Sequence, residues 1–154
     1  MRALRSSVLA LLLVAACDGG LAPPGTQEAG AIRGTVVYNP ADAWPPPDSL
    51  VDLRFVAMRF VPRDTADFLN LNALVFNEPR LRFNVARDTF VIGGVEPGRF
   101  LYSGVAQRFG PSIVQWRPVG LYAARGGVFD VLPGETTVVE VTVDFHTPPP
   151  FPPR

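Results

Sequence analysis

The chain has no lysine, one histidine and one cysteine among its 154 residues. None of its apolar runs approaches the roughly 20 residues that a bilayer-spanning helix needs. Each shortage closes off some chemistry. Zinc sites ask for several His and Cys ligands, and His146 and Cys17 are the whole supply. A Ser-His-Asp or Cys-His site would have to be built on His146, beside a proline-rich tail. A single cysteine makes an internal disulfide impossible. Charge of one sign is also lacking: 14 basic and 14 acidic residues give a net charge of zero. That leaves no broad basic surface for nucleic acid and no acidic tail. With lysine absent, every basic residue is arginine, which suits bidentate anion contacts. GC-biased codon use gives the same composition, so no site is assigned on that ground. The 47% hydrophobic content supports one core, and 17 prolines with 14 glycines favour short strands and turns over long helices.

What is present starts at the N-terminus. Arg2 and Arg5 precede a nine-residue apolar run at 8–16, the length of a signal-peptide core. The run ends Val14-Ala15-Ala16-Cys17, which resembles the bacterial lipobox of an aliphatic residue, two small residues and a cysteine. The resemblance implies cleavage before Cys17 and acylation of its thiol, which gives stable anchoring when two or three chains are attached. The competing possibility is an ordinary secretory signal with Cys17 incidental. A lone thiol in an oxidising compartment is a liability unless it is consumed, which favours the lipid. Asp18 resembles the inner-membrane retention signal of some enterobacterial lipoproteins, a rule that does not extend to all bacteria, so the choice of membrane stays open. Residues 18–30, "DGGLAPPGTQEAG", read as a tether.

From residue 31 the pattern alternates. "AIRGTVVY" places Ile32, Val36 and Tyr38 on one face and Arg33, Thr35 and Val37 on the other. "LVDLRFVAMRFV" sets Val51, Leu53, Phe55 and Ala57 against Asp52 and Arg54, then turns apolar on both faces, as a central or bulged strand does. Asp64 or Thr65 caps a short helix through 69, followed by a strand at 73–76. A strand at 88–92 leads to a type II turn on Pro97-Gly98 and a longer strand at 99–108. Two brief strands follow, "PVGLY" and "GVFDVLPG", with Pro133-Gly134 repeating the turn chemistry. "TTVVEVTVDF" points Thr137, Val139, Val141, Val143 and Phe145 inward. The expectation is a single all-β domain over 31–146, an antiparallel Ig-like or transthyretin-like β-sandwich of about seven strands. The tail at 147–154 is expected to run as polyproline II beyond it.

"AIRGTVVY", "DTFVIGGVEPGRFLYSGVA" and "GVFDVLPGETTVVEVTVDF" together resemble the carboxypeptidase-regulatory-like, transthyretin-type modules. Phe90, Ile92, Pro97, Gly98 and Phe100 match the hairpin of that family. The resemblance covers about residues 31–145 and implies a fold, not an activity. Residues 60–88 depart from the family by their length and their Asn and Phe content. The zinc motif of metallocarboxypeptidases is missing, as are the histidines and Tyr-Arg-Gly-Ser ending of the transthyretin-like hydrolases.

No catalytic residue, metal site or cofactor is expected. Asp64 and Asp67 are the nearest approach to a calcium cluster, and they read better as a helix cap. Arg80, Arg82 and Arg87 read as solvated charges guarding a strand edge. The expected role is a non-catalytic structural or interaction module, held to a membrane of the bacterial cell envelope through Cys17 and facing a protein or glycan partner. Trp44, Trp116, Arg117 and Tyr122 are the candidate ligand-binding residues. A carbohydrate-binding module would need Trp44, Trp116 and Tyr122 coplanar on one exposed face. A small hydrolase would need an enclosed pocket with converging acids.

Overall fold

The computed structural model describes residues 27–153. The expected leader, Cys17 and most of the tether lie outside the described residues. Nine strands run along the described residues: β1 Gly30–Tyr38, β2 Asp52–Met58, β3 Leu74–Phe76, β4 Arg87–Val95, β5 Gly98–Phe100, β6 Tyr102–Arg108, β7 Trp116–Leu121, β8 Phe129–Val131 and β9 Thr136–Val143. They form a three-stranded sheet in the order β4-β1-β9, a four-stranded sheet in the order β3-β2-β6-β7, and a two-stranded ribbon of β5 and β8. The architecture is an all-β sandwich, as the alternation predicts.

The two larger sheets share one core. Ile32, Val36 and Tyr38 from β1, Phe90 from β4 and Val139, Val141 and Val143 from β9 face Leu53, Phe55, Ala57, Val105 and Val119 across it. The ribbon adds Phe100, Phe129 and Val131 at the end where β1 begins. Period-two burial is clean in β1 and β9, the strands whose outer faces meet water. In β2 the residues from Phe55 to Met58 are all buried, so the strand is central and covered on both sides.

Several expectations need correction. The described residues form nine strands rather than about seven, in part because 99–108 breaks at Leu101 into β5 and β6, which join different sheets, while the strand expected at 73–76 is present as the edge strand β3. The sandwich is not wholly antiparallel, since β9 runs parallel to β1 over eight residue pairs. Pro97-Gly98 does not close a hairpin: Gly98 has φ of 143° rather than the ~80° of a type II turn, and it carries the chain from one sheet into the ribbon. Pro133-Gly134 does form the expected turn, with Gly134 at φ 69° and the Glu135 amide donating to the Leu132 carbonyl at 3.2 Å. The tail does not run clear of the domain, because Phe151 folds back onto the four-stranded sheet.

The sheets meet along β7 and β9, where the Asp144 amide donates to Val119 and the backbone of Gly120 lies against the Thr142 carbonyl. Pro118 is tolerated in β7 because that strand is an edge and carries a bulge beside it. Along the opposite margin β3 and β4 stand apart, leaving an open groove of about 670 Å³. Above that groove residues 77–86 are pinned by Asp88, a buried carboxylate on β4. It accepts from the Arg82 amide at 2.7 Å, the Arg82 Nε at 2.9 Å and the Thr89 amide at 2.9 Å.

Two outcomes follow from this packing. The Phe90 ring lies directly over Gly34, and any β-carbon there collides with it. Gly34→Val should destabilise the protein by about 2–3 kcal/mol, the range of core overpacking. An unchanged urea midpoint would contradict the packing. For Asp88, burial pushes the carboxyl up, but the hydrogen bonds from Arg82 and Thr89 outweigh it and hold it below the ordinary carboxylate value. A group depressed in this way stabilises the fold above its unfolded pKa of about 3.9, and that contribution disappears as pH falls through the folded value. Asp88→Asn should therefore flatten the decline of stability below about pH 4. Unfolding curves collected down the acid limb check this, and identical slopes for the two proteins would refute it.

Candidate functional site

The outer face of the four-stranded sheet carries a second apolar cluster. Val56 and Met58 of β2 and Tyr102 and Ala106 of β6 form its floor, and Phe68 is buried upon them. Phe68 arrives on a short 3-10 helix, Thr65–Leu69. Asp64 starts that helix by accepting from the Ala66 amide at 2.8 Å, and Asp67 accepts from the Arg63 amide at 2.7 Å. Both carboxylates are thus spent on a capping box. Among the described residues no group of three or more His, Cys, Asp and Glu is arranged to hold a metal.

Beside Phe68 a cleft of about 170 Å³ opens, walled by Leu71, Leu74, Phe76 and Trp116 over Val56. Its polar end is the pair Asp52 and Arg54, with Nε to Oδ1 at 3.2 Å. The same guanidinium donates to the Asn77 carbonyl at 2.8 Å and lies 5.8 Å from the Phe76 ring centroid. Asp52 also accepts from the Leu53 amide at 2.8 Å. The charges are satisfied internally, so the cleft offers apolar contact rather than proton transfer. A dry cavity of about 150 Å³ lined by aliphatic and aromatic groups takes a benzene-sized guest. This cleft therefore suits one apolar side chain. On the floor of the cluster the Tyr102 hydroxyl has no hydrogen-bond partner, and burial pushes its pKa up to about 12.

The four expected ligand-binding residues separate. Trp116, at the start of β7, is half-buried and lines the cleft. Arg117, the next residue, faces away; its Nε donates to the Gln107 Oε1 at 3.1 Å and its guanidinium covers Phe109 at 5.6 Å. Tyr122 is buried in the main core, edge-on to Phe129 at 5.6 Å. Trp44 packs on Tyr38 at 4.5 Å and Phe145 at 5.1 Å, with its indole N–H donating to the Ala41 carbonyl. Two half-buried tryptophans in separate places and one tyrosine in the core make no stacking platform, so the coplanar arrangement expected of a sugar-binding module is not formed.

The arginine trio also disperses. Arg80 covers the Phe83 ring at 4.8 Å, Arg82 pairs with Asp88 at 2.8 Å, and Arg87 alone lies on the edge strand β4. The His146 amide donates to the Asp144 carboxylate, which also accepts from Thr147, in an exposed turn leading to the tail. Those hydrogen bonds, led by the Thr147 hydroxyl, hold the Asp144 carboxyl below its usual value. The residues that build the cleft, Phe68, Leu74 and Phe76, were not singled out from the sequence. Their signal was the Phe and Leu density of "DFLNLNALVF".

The chain matches no protein-family model, no curated protein and no solved structure.

Phe68 joins the cleft to the rest of the cluster, whereas Leu71 on the rim is 63% exposed. Phe68→Ala should cost about 3 kcal/mol, as removal of a buried phenylalanine does. Leu71→Ala should stay within about 0.5 kcal/mol of the parent. Denaturant titrations of the two variants distinguish them, and equal stabilities would mean that Phe68 carries no cluster.

Proposed function

We propose that this chain is a bacterial envelope lipoprotein, a non-catalytic β-sandwich module of transthyretin type held to a membrane by acylated Cys17 and presenting its surface to a protein partner. The observation that carries the anchoring is the run ending Val14-Ala15-Ala16-Cys17, which supplies the chain's only thiol at the position where a lipobox needs it. The non-catalytic role is supported by the structural employment of six of the acids. Asp52, Asp88 and Asp130 are paired with Arg54, Arg82 and Arg99, Asp64 and Asp67 cap a helix, and Asp144 holds a turn. A protein partner is favoured over a glycan because the half-buried Trp116 lines a cleft that suits an apolar side chain, whereas sugars are met by open aromatic faces.

The described part begins at the end of the sandwich closed by the β5–β8 ribbon.

The test is chemical and cellular together. Protein extracted from membranes should begin at Cys17 and have an intact mass above that of the bare mature chain by the added acyl groups. Cys17→Ala should leave uncut precursor or release the protein to the soluble fraction. A mature chain starting elsewhere, with a free thiol at Cys17, would overturn the proposal.

A further inference from the structure

The tail of the chain, "HTPPPFPPR", has five prolines at 148–150 and 152–153 flanking one aromatic, Phe151. That ring is the tail's foothold on the outer face of the four-stranded sheet, 5.1 Å from the Phe68 ring at a tilt of 47°. Pro152 and Pro153 line an open groove with Phe60, Pro62 and Leu101 alongside. Among the described residues, hydrogen bonds fix the tail only as far as Thr147, through Asp144. Beyond that turn the strap has no regular secondary structure and bends at Phe151 and Pro152; it is rich in prolines that have no N–H to donate, and Phe151 is its one aromatic foothold.

That is the geometry of a bound peptide rather than of an element of the sandwich. Proline-rich segments are recognised by aromatic-lined grooves because their backbone is already stiff and extended. Here Phe68 divides two adjoining seats. One is filled by Phe151, and the other, the cleft against Trp116 and Leu74, stands open. We infer that the outer face of β3-β2-β6-β7 is a binding site for a proline-rich segment carrying an aromatic residue between prolines, and that the chain's own tail occupies it in cis. A partner segment that supplies the aromatic and adds an apolar side chain for the open cleft makes every contact that the tail makes, and one more. The inference deepens the interaction-module reading and rests on it for the existence of an external partner. The site itself is a property of the isolated protein.

The experiment uses the complete mature chain carrying Phe151→Ala, with a labelled peptide HTPPPFPPR added in trans and binding followed by fluorescence anisotropy. The variant should bind the peptide saturably. The parent chain should bind it at least about tenfold more weakly, since a site occupied in cis nine-tenths of the time presents only the remaining fraction. The same peptide with alanine in place of phenylalanine should not bind. Absence of binding to the variant, or equal binding to variant and parent, would overturn the inference. So would loss of the cooperative thermal transition in the variant, because the tail would then be part of the fold and not a ligand. None of these failures would touch the lipid anchor, which the mass and fractionation experiment tests separately.

Discussion

Strand β2 buries apolar side chains on both of its faces, and the molecule is arranged around that constraint. Leu53, Phe55 and Ala57 face the β4-β1-β9 sheet, while Val56 and Met58 face the other way. A sheet with two apolar faces must be covered twice. One cover is the usual partner sheet of a sandwich. The other is improvised from the 3-10 helix bearing Phe68 and the proline-rich tail. Residues 60–88, the stretch that departs most from a simple sandwich, are largely this second cover and its return to β4.

The polar groups in that stretch solve the problem that the cover creates. When β3 ends, Asn77 satisfies Phe55 of β2: its Oδ1 accepts from the Phe55 amide at 2.7 Å and its own amide donates to the Phe55 carbonyl at 3.3 Å, while its Nδ2 donates to the Pro79 carbonyl of the loop at 2.7 Å. Arg54 then ties the Asn77 carbonyl to Asp52. Gln107, fully buried, does the same at the other end by linking the Ser49 carbonyl to Arg117. Buried amides of this kind are acceptable only when their groups are matched, and here they let the chain leave the sheet without stranding donors. The buried hydroxyls of Tyr102 and Ser103 are left without such partners.

Period-two strands facing water were legible from sequence because their alternation is a local property. β1 and β9 showed it, as did the capped helix at Asp64 and the Pro133-Gly134 turn. Pairing was not legible, because it depends on partners far along the chain: nothing in "TTVVEVTVDF" says that it lies parallel to β1. The candidate site failed for a related reason. Trp116 and Arg117 are adjacent in sequence, and adjacency in a strand places side chains on opposite faces. One lines the cleft and the other crosses to Gln107. Trp44 and Tyr122 were grouped with them by residue type, but each is drawn into its own aromatic neighbours. A cleft made by the outer face of a central strand shows itself only once that strand is known to be central.

The tail's energetics follow from the same second cover. Seating one phenylalanine side chain is worth about 1.5–3 kcal/mol when burial is complete, and Phe151 is only partly buried. Ordering an ordinary chain opposes that by about 1–2 kcal/mol of backbone entropy per residue, which seven residues would exceed several times over. Five of the residues at 147–153 are prolines, whose fixed φ removes much of that freedom before docking begins. The entropy opposing docking is thereby brought down towards what one seated ring can offset. A glycine-rich tail of the same length would not dock on one ring, and a strand pairing along β7 would not let go. Proline content combined with a single aromatic foothold is the composition that keeps such a contact exchangeable, which is why the outer sheet face can be sheltered and still remain open to a competitor.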